Sequence, residues 1–148
     1  MDIIVSRRKK QSVCHCINLR RAATAVTDYY DRILKPAGLT INQYSLLINI
    51  ARNQPLSVSA LSAAVGLERT TLTRSLQPLF RAGLIIDQAQ AGSRERQLHL
   101  SPHGSRLLKS AAPLWEQAQA GIETALGAGG LKKLNSFLFL LETMQPSK

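Results

Sequence analysis

The chain has few of the residues that mark secreted, membrane or metal-binding proteins. Its 148 residues include two cysteines, three histidines and nine acids. Two cysteines cannot make the disulfide framework of a small secreted domain. No stretch approaches the roughly 18 uninterrupted apolar residues of a membrane span, and no long apolar core follows the first basic residues as in a signal peptide. A cytoplasmic protein without membrane partners is therefore expected.

The motifs of common enzyme classes are also missing. The sequence has no glycine-rich phosphate loop and no Gly-x-Ser-x-Gly elbow. Its one close acid pair, Asp28 and Asp31, lies beside Arg32 on a predicted helix, as on a solvated face. Cys14 and Cys16 would point about 200° apart on a helix, which prevents them from binding one ion together. No catalytic residue, metal site or cofactor is predicted.

Positive charge is the strongest compositional signal. The formal net charge is +10 and the hydrophobic fraction is 45%, so the chain combines a globular composition with a large basic excess. Much of this excess lies between Arg52 and Lys109. Such a distribution favours a polyanionic partner.

The most informative stretch is residues 56–86. Apolar side chains recur at i, i+3 and i+7 in residues 58–65, and residues 72–80 repeat this stripe before Gly83. Gly66 lies between the two stripes and suits a tight turn. Helix, short glycine turn and helix form the pattern of the DNA-binding helix-turn-helix. An ordinary antiparallel helix pair is the alternative.

The second of these helices is predicted to enter the major groove. Its outward face carries hydrogen-bond donors and small hydroxyls, the chemistry of base-edge and phosphate contacts. Pro78 is expected to bend its last turn. The predicted major-groove residues are Arg69, Thr70, Thr73, Arg74 and Gln77. The predicted phosphate contacts are Ser57, Ser59, Arg96 and the helix N-termini.

Two short strand patterns follow the second helix. Residues 84–86 are apolar, and residues 96–100 alternate polar and apolar side chains. The polar loop 88–95 between them carries Arg94 at its tip. Such a ribbon is a wing, and its arginine suits a narrow, electronegative minor groove.

The ordered series of motifs resembles the MarR family of winged-helix transcriptional regulators. It comprises Leu39-Thr40 through Gln43-Tyr44, the helix-turn-helix, Gly83-Leu84-Ile85 and the run from Leu100 to Gly104, and it covers about residues 12–146. The resemblance implies a mainly α fold with a small two-stranded β wing. It also implies a homodimer that binds a pseudo-palindrome in double-stranded DNA, usually as a repressor released by a small ligand or by oxidation. A sequence-indifferent architectural DNA-binding protein is the alternative.

One departure from the family pattern lies at the wing tip. Members usually carry Asp-x-Arg, in which the aspartate orients the arginine. This chain has Gly92-Ser93-Arg94. Arg94 matches the pattern and its carboxylate brace is absent.

The predicted organisation has three parts. Residues 1–11 form a basic tail, interpreted as disordered, with contact to the DNA backbone as the alternative. Residues 12–36 and 102–148 form a helical dimerisation region, and residues 37–101 form the winged helix-turn-helix lobe. Thr40 and Ser101 are predicted helix caps. The helix after Ser101 should kink at Pro113 and end near residues 127–130. A last helix from Leu131, apolar nearly all round, should join the dimer interface.

The resemblance also implies regulatory sites. Members keep a ligand pocket between the dimer helices and the DNA lobe, which places Tyr29, Tyr44, Ile48 and Trp115 around a small aromatic ligand. Packing at this junction is the alternative.

The remaining candidate site contains a cysteine. Cys16, on the apolar seam of the first helix, matches the peroxide-reactive cysteine of the organic-hydroperoxide-sensing branch of the family. Tyr30 matches one of its tyrosine partners, whereas Arg20 departs from the other. Cys16 and Tyr30 could meet only across a dimer. A thiol-based sensor is therefore an alternative function, and an inert packed cysteine is the simpler interpretation.

Overall fold

The computed structural model describes residues 10–144, and these residues are mainly helical with one two-stranded antiparallel sheet. The predicted fold class is therefore confirmed. Most of the predicted basic tail lies outside the described residues. The elements are α1 (His15–Leu34), α2 (Ile41–Asn53), α3 (Val58–Val65), α4 (Arg69–Arg81), β1 (Ile85–Asp87), β2 (Leu98–Leu100) and α5 (Pro102–Glu142), with a 3₁₀ turn at Lys35–Ala37.

The start of α2 is fixed by two sets of hydrogen bonds. The Thr40 hydroxyl accepts from the Gln43 amide at 3.2 Å, and the Gln43 side chain accepts from the Thr40 amide at 3.0 Å. This capping box confirms Thr40 as the cap. In addition, Asp31 of α1 accepts from the Ile41 amide at 2.6 Å. The interpretation of Asp31 as part of a solvated face was wrong, because its half-buried carboxylate joins α1 to the N-terminus of α2.

The helix-turn-helix consists of α3, a glycine turn and α4. The Ser57 hydroxyl caps α3 by accepting from the Ala60 amide at 3.0 Å. Gly66 ends α3 with φ of 66°, a conformation that favours glycine. α4 continues through Pro78 to Arg81, and its inner side chains Leu72, Leu76 and Leu79 are buried.

The wing is shorter than the sequence pattern predicts. Ile85 pairs with Leu100 and Asp87 with Leu98, whereas strands over 84–86 and 96–100 were expected. Leu56 forms a further antiparallel bridge to Leu98, and this bridge attaches the segment before α3 to the sheet.

α5 begins at the predicted cap and is broken at one residue. The Ser101 hydroxyl accepts from the Gly104 amide at 2.9 Å. Gly127 has non-helical φ of 66° and ψ of 166°, after which the helix resumes. The helix was expected to end near residues 127–130, and the structure instead has a break at one residue there. The φ and ψ angles at Pro113 stay helical, and the kink expected there stays a prediction.

The core lies in the winged lobe. Its fully buried side chains come from the end of α1, from α2, α3 and α4 and from the wing, with Leu108 and Ala111 of α5 packed against them. A smaller cluster of Tyr30, Ile33 and Ala118 lies between α1 and α5. Within residues 10–144, no helix is long and apolar enough to span a membrane.

Candidate nucleic-acid interface

The outer face of α4 is polar and accessible. Burial of the leucine stripe leaves five predicted major-groove residues exposed: Arg69, Thr70, Thr73, Arg74 and Gln77. The Thr73 hydroxyl donates to the Arg69 carbonyl at 2.8 Å, which fixes its rotamer and leaves its oxygen free to accept. This face of α4 therefore suits a base edge that presents both hydrogen-bond donors and acceptors.

The start of α3 lies in the same lobe. Ser59 is exposed, whereas Ser57 is half-buried and its oxygen is occupied by the helix cap. The Ser57 hydroxyl hydrogen is the part of this side chain that could meet a phosphate. Its structural role as a cap was missing from the sequence interpretation.

Hydrogen bonds of Ser93 hold the turn at the wing tip. The Ser93 hydroxyl donates to the Glu95 carbonyl at 2.9 Å and accepts from the Glu95 amide at 3.2 Å. The Ser93 amide donates to the Gln90 carbonyl at 2.9 Å. Gly92 has φ of 86°, so an aspartate at this position would strain the turn. Arg94 is exposed at this ordered tip.

Arg96 lies at the base of the wing rather than at its tip. Its guanidinium carbon is 5.2 Å from the centre of the Phe80 ring, and its Nε is 3.8 Å from the Asp87 carboxylate. Phosphate contact by Arg96 stays a prediction. Its contacts depend on the register of the hairpin and on the end of α4, which sequence spacing did not reveal.

The predicted ligand residues lie on three helices, with Tyr44 and Ile48 on α2, Trp115 on α5 and Tyr29 on α1. The rings of Tyr44 and Trp115 stack with centroids 5.9 Å apart and an interplanar angle of 14°. Ile48 packs against the main core, and Tyr29 belongs to the smaller cluster. Trp115 contacts both clusters. Burial raises the pKa of the Tyr44 hydroxyl, with Arg52 opposing and Glu116 adding to the increase, so this ring stays neutral at physiological pH.

Cys16 and Tyr30 are not brought together within the protomer. Cys16 is exposed near the start of α1. Tyr30 is buried near its end, and its hydroxyl donates to Gln119 of α5. Burial raises the pKa of Tyr30, with smaller contributions from Tyr29 and Glu123. A redox role for Cys16 stays a prediction.

The geometry defines a winged helix-turn-helix with a basic, exposed second helix. A model of the MarR family matches residues 39–94. The putative transcriptional regulatory protein for the hcr operon of Thauera aromatica is 33% identical over 93 residues, 62% of this chain and 56% of that protein. The chain thus spans little more than half the length of this curated relative.

Solved structures extend the similarity over most of the chain. The M. tuberculosis transcriptional regulator MOSR in complex with DNA is 37% identical, with a TM-score of 0.74 over 84% of this chain and 92% of that one. The repressor CouR bound to p-coumaroyl-CoA has a TM-score of 0.79 over 89% and 94%, and at 22% identity it supports the fold alone. The chain belongs to the MarR family and is a transcriptional regulator of that type.

Proposed function

We propose that the protein is a homodimeric repressor that binds a pseudo-palindromic site in double-stranded DNA and is released by a small aromatic ligand. The observation that carries this proposal is the exposed polar and basic face of α4 beside an ordered wing tipped by Arg94. In this role α4 lies in the major groove and Arg94 in the adjacent minor groove. The solved DNA complex of the relative MOSR supports the same use of the fold.

The dimerisation region in this proposal comprises residues 12–36 and 102–148. Large apolar side chains are exposed at the start of α1 and at the end of α5 in the protomer. They include Ile17, Leu19 and Val26 of α1 and Leu134, Phe137, Leu138, Phe139, Leu140 and Leu141 of α5. Exposed large apolar side chains in such number favour an interface. A second copy of the chain is the partner that also explains a two-fold symmetric DNA site.

Footprinting tests the DNA-binding proposal against the architectural alternative. A regulator protects discrete half-sites with centres about one helical turn apart. Uniform protection of every fragment tested would favour a sequence-indifferent architectural protein.

Arg74→Ala is expected to weaken binding to the specific site far more than binding to random DNA. A bidentate arginine contact to a base contributes ~1–3 kcal/mol of discrimination. Fluorescence anisotropy on both DNAs measures the difference. Arg21→Ala removes the same charge at an exposed position of α1. It should change the two affinities by the same small amount. Equal losses for Arg74→Ala on the two DNAs would assign it to a phosphate.

A small aromatic acid is expected to quench the fluorescence of Trp115 and to release DNA over the same concentration range. Trp115 is the one tryptophan, and its stack on Tyr44 joins α5 to α2, so a ligand inserted there would change both emission and lobe position. The p-coumaroyl-CoA complex of CouR motivates a panel of phenolic acids and their thioesters. Quenching without loss of DNA binding would contradict the proposed release.

A further inference from the structure

One arginine contacts both the recognition helix and the wing. Arg96, just before β2, faces the Phe80 ring in the last turn of α4 and the Asp87 carboxylate at the end of β1. The ring contact draws the guanidinium toward α4, and the carboxylate draws it toward the first strand. A planar, delocalised cation suits both partners at once.

Asp87 also accepts hydrogen bonds in the same hairpin. Its Oδ1 accepts from the Ala89 amide at 3.0 Å and from the Gln97 amide at 2.9 Å, and its Oδ2 faces Arg96. The Gln88 amide completes the arrangement by donating to the Gln97 carbonyl at 2.9 Å. One carboxylate therefore holds both arms of the loop where they leave the sheet.

We infer that Phe80, Asp87 and Arg96 form a clamp that fixes the angle of the wing relative to α4, and that Arg96 is a positioning residue rather than a phosphate contact. The inference rests on the proposed DNA binding. A helix in one groove and Arg94 in the next must engage together, so a wing held in place before binding loses less conformational freedom. The bonds within the Ser93 turn order the tip, and the clamp orients the whole wing.

Asp87→Asn distinguishes the two roles of Arg96 by the sign of its effect. Asparagine can still accept from both amides but loses the charge that faces Arg96. The clamp predicts that operator affinity falls about five-fold, although the protein gains net positive charge. If Arg96 contacted phosphate, the substitution would release it from Asp87 and binding would tighten, which would overturn the inference.

Two further variants serve as controls for charge and for shape. Glu95→Gln removes one negative charge from the same loop outside the clamp, so operator binding should tighten slightly. Arg96→Lys keeps the charge but loses the planar group over Phe80, so binding should weaken about as much as in Asp87→Asn. Full affinity for Arg96→Lys would contradict the clamp, because a phosphate contact needs the charge alone.

Hydrogen exchange of the free protein tests the clamp without DNA. Asp87→Asn and Arg96→Lys should each speed exchange of the Gln88 amide several-fold, since opening of the hairpin base becomes easier. Arg94→Ala should leave this amide unchanged. Unaltered exchange in the clamp variants would overturn the inference. If wild type bound no DNA, the proposed function would fail, and the exchange comparison would still decide the clamp.

Discussion

Replacement of both Phe137 and Leu141 by glutamate is expected to make the protein monomeric and to weaken binding to a complete operator by roughly 100-fold or more. The two side chains are 60% and 40% exposed in the protomer, one helical turn apart on α5. In the proposed dimer they are buried, where an unpaired carboxylate is costly. The monomer keeps one lobe and binds a half-site only, without the second lobe held nearby.

Light scattering during size-exclusion chromatography measures the oligomeric state, and fluorescence anisotropy on full and half operators measures the two affinities. Lys133→Glu changes the charge by the same −2 in the same segment while it keeps every apolar side chain. Because Lys133 is exposed, this substitution should leave the protein dimeric. If the Phe137→Glu/Leu141→Glu variant stayed dimeric, the end of α5 would not belong to the dimer interface.

Elements with local signals were predictable from the sequence. The caps at Thr40 and Ser101 depend on residues three apart in the chain, and both form as expected. The leucine stripe of α4 follows helical periodicity and is buried. These patterns were sufficient to predict the position of the helix-turn-helix and the exposure of Arg74.

Contacts between distant segments were not predictable in the same way. The Asp31 bond to the Ile41 amide requires the path of the chain between two helices. The position of Arg96 requires both the hairpin register and the end of α4, and single-sequence periodicity encodes neither. The same limit applies to Gly104, because its close approach to the Leu84 carbonyl joins segments that are distant in sequence.

Gly104→Ala is expected to destabilise the fold by about 3 kcal/mol. Gly104 is buried in the first turn of α5, and a Cβ there would lie 2.0 Å from the Leu84 carbonyl oxygen. That oxygen accepts from the Ser101 amide at 3.0 Å, and the Ser101 hydroxyl donates to the Gly83 carbonyl at 2.6 Å. To admit the methyl group, α5 must move away from β1, and these bonds between the wing and α5 are strained or lost.

Thermal unfolding at one protomer concentration measures the effect, which should lower Tm by roughly 10 °C. Gly129→Ala is the matched control, because Gly129 lies in a helical part of α5 where an added Cβ meets nothing within 4 Å of the protomer. There the same substitution should raise stability by up to about 1 kcal/mol through helix propensity. If Gly104→Ala also unfolded at or above the wild-type temperature, the Leu84 carbonyl would have to move freely, and the close packing of α5 on the wing would not stabilise the lobe.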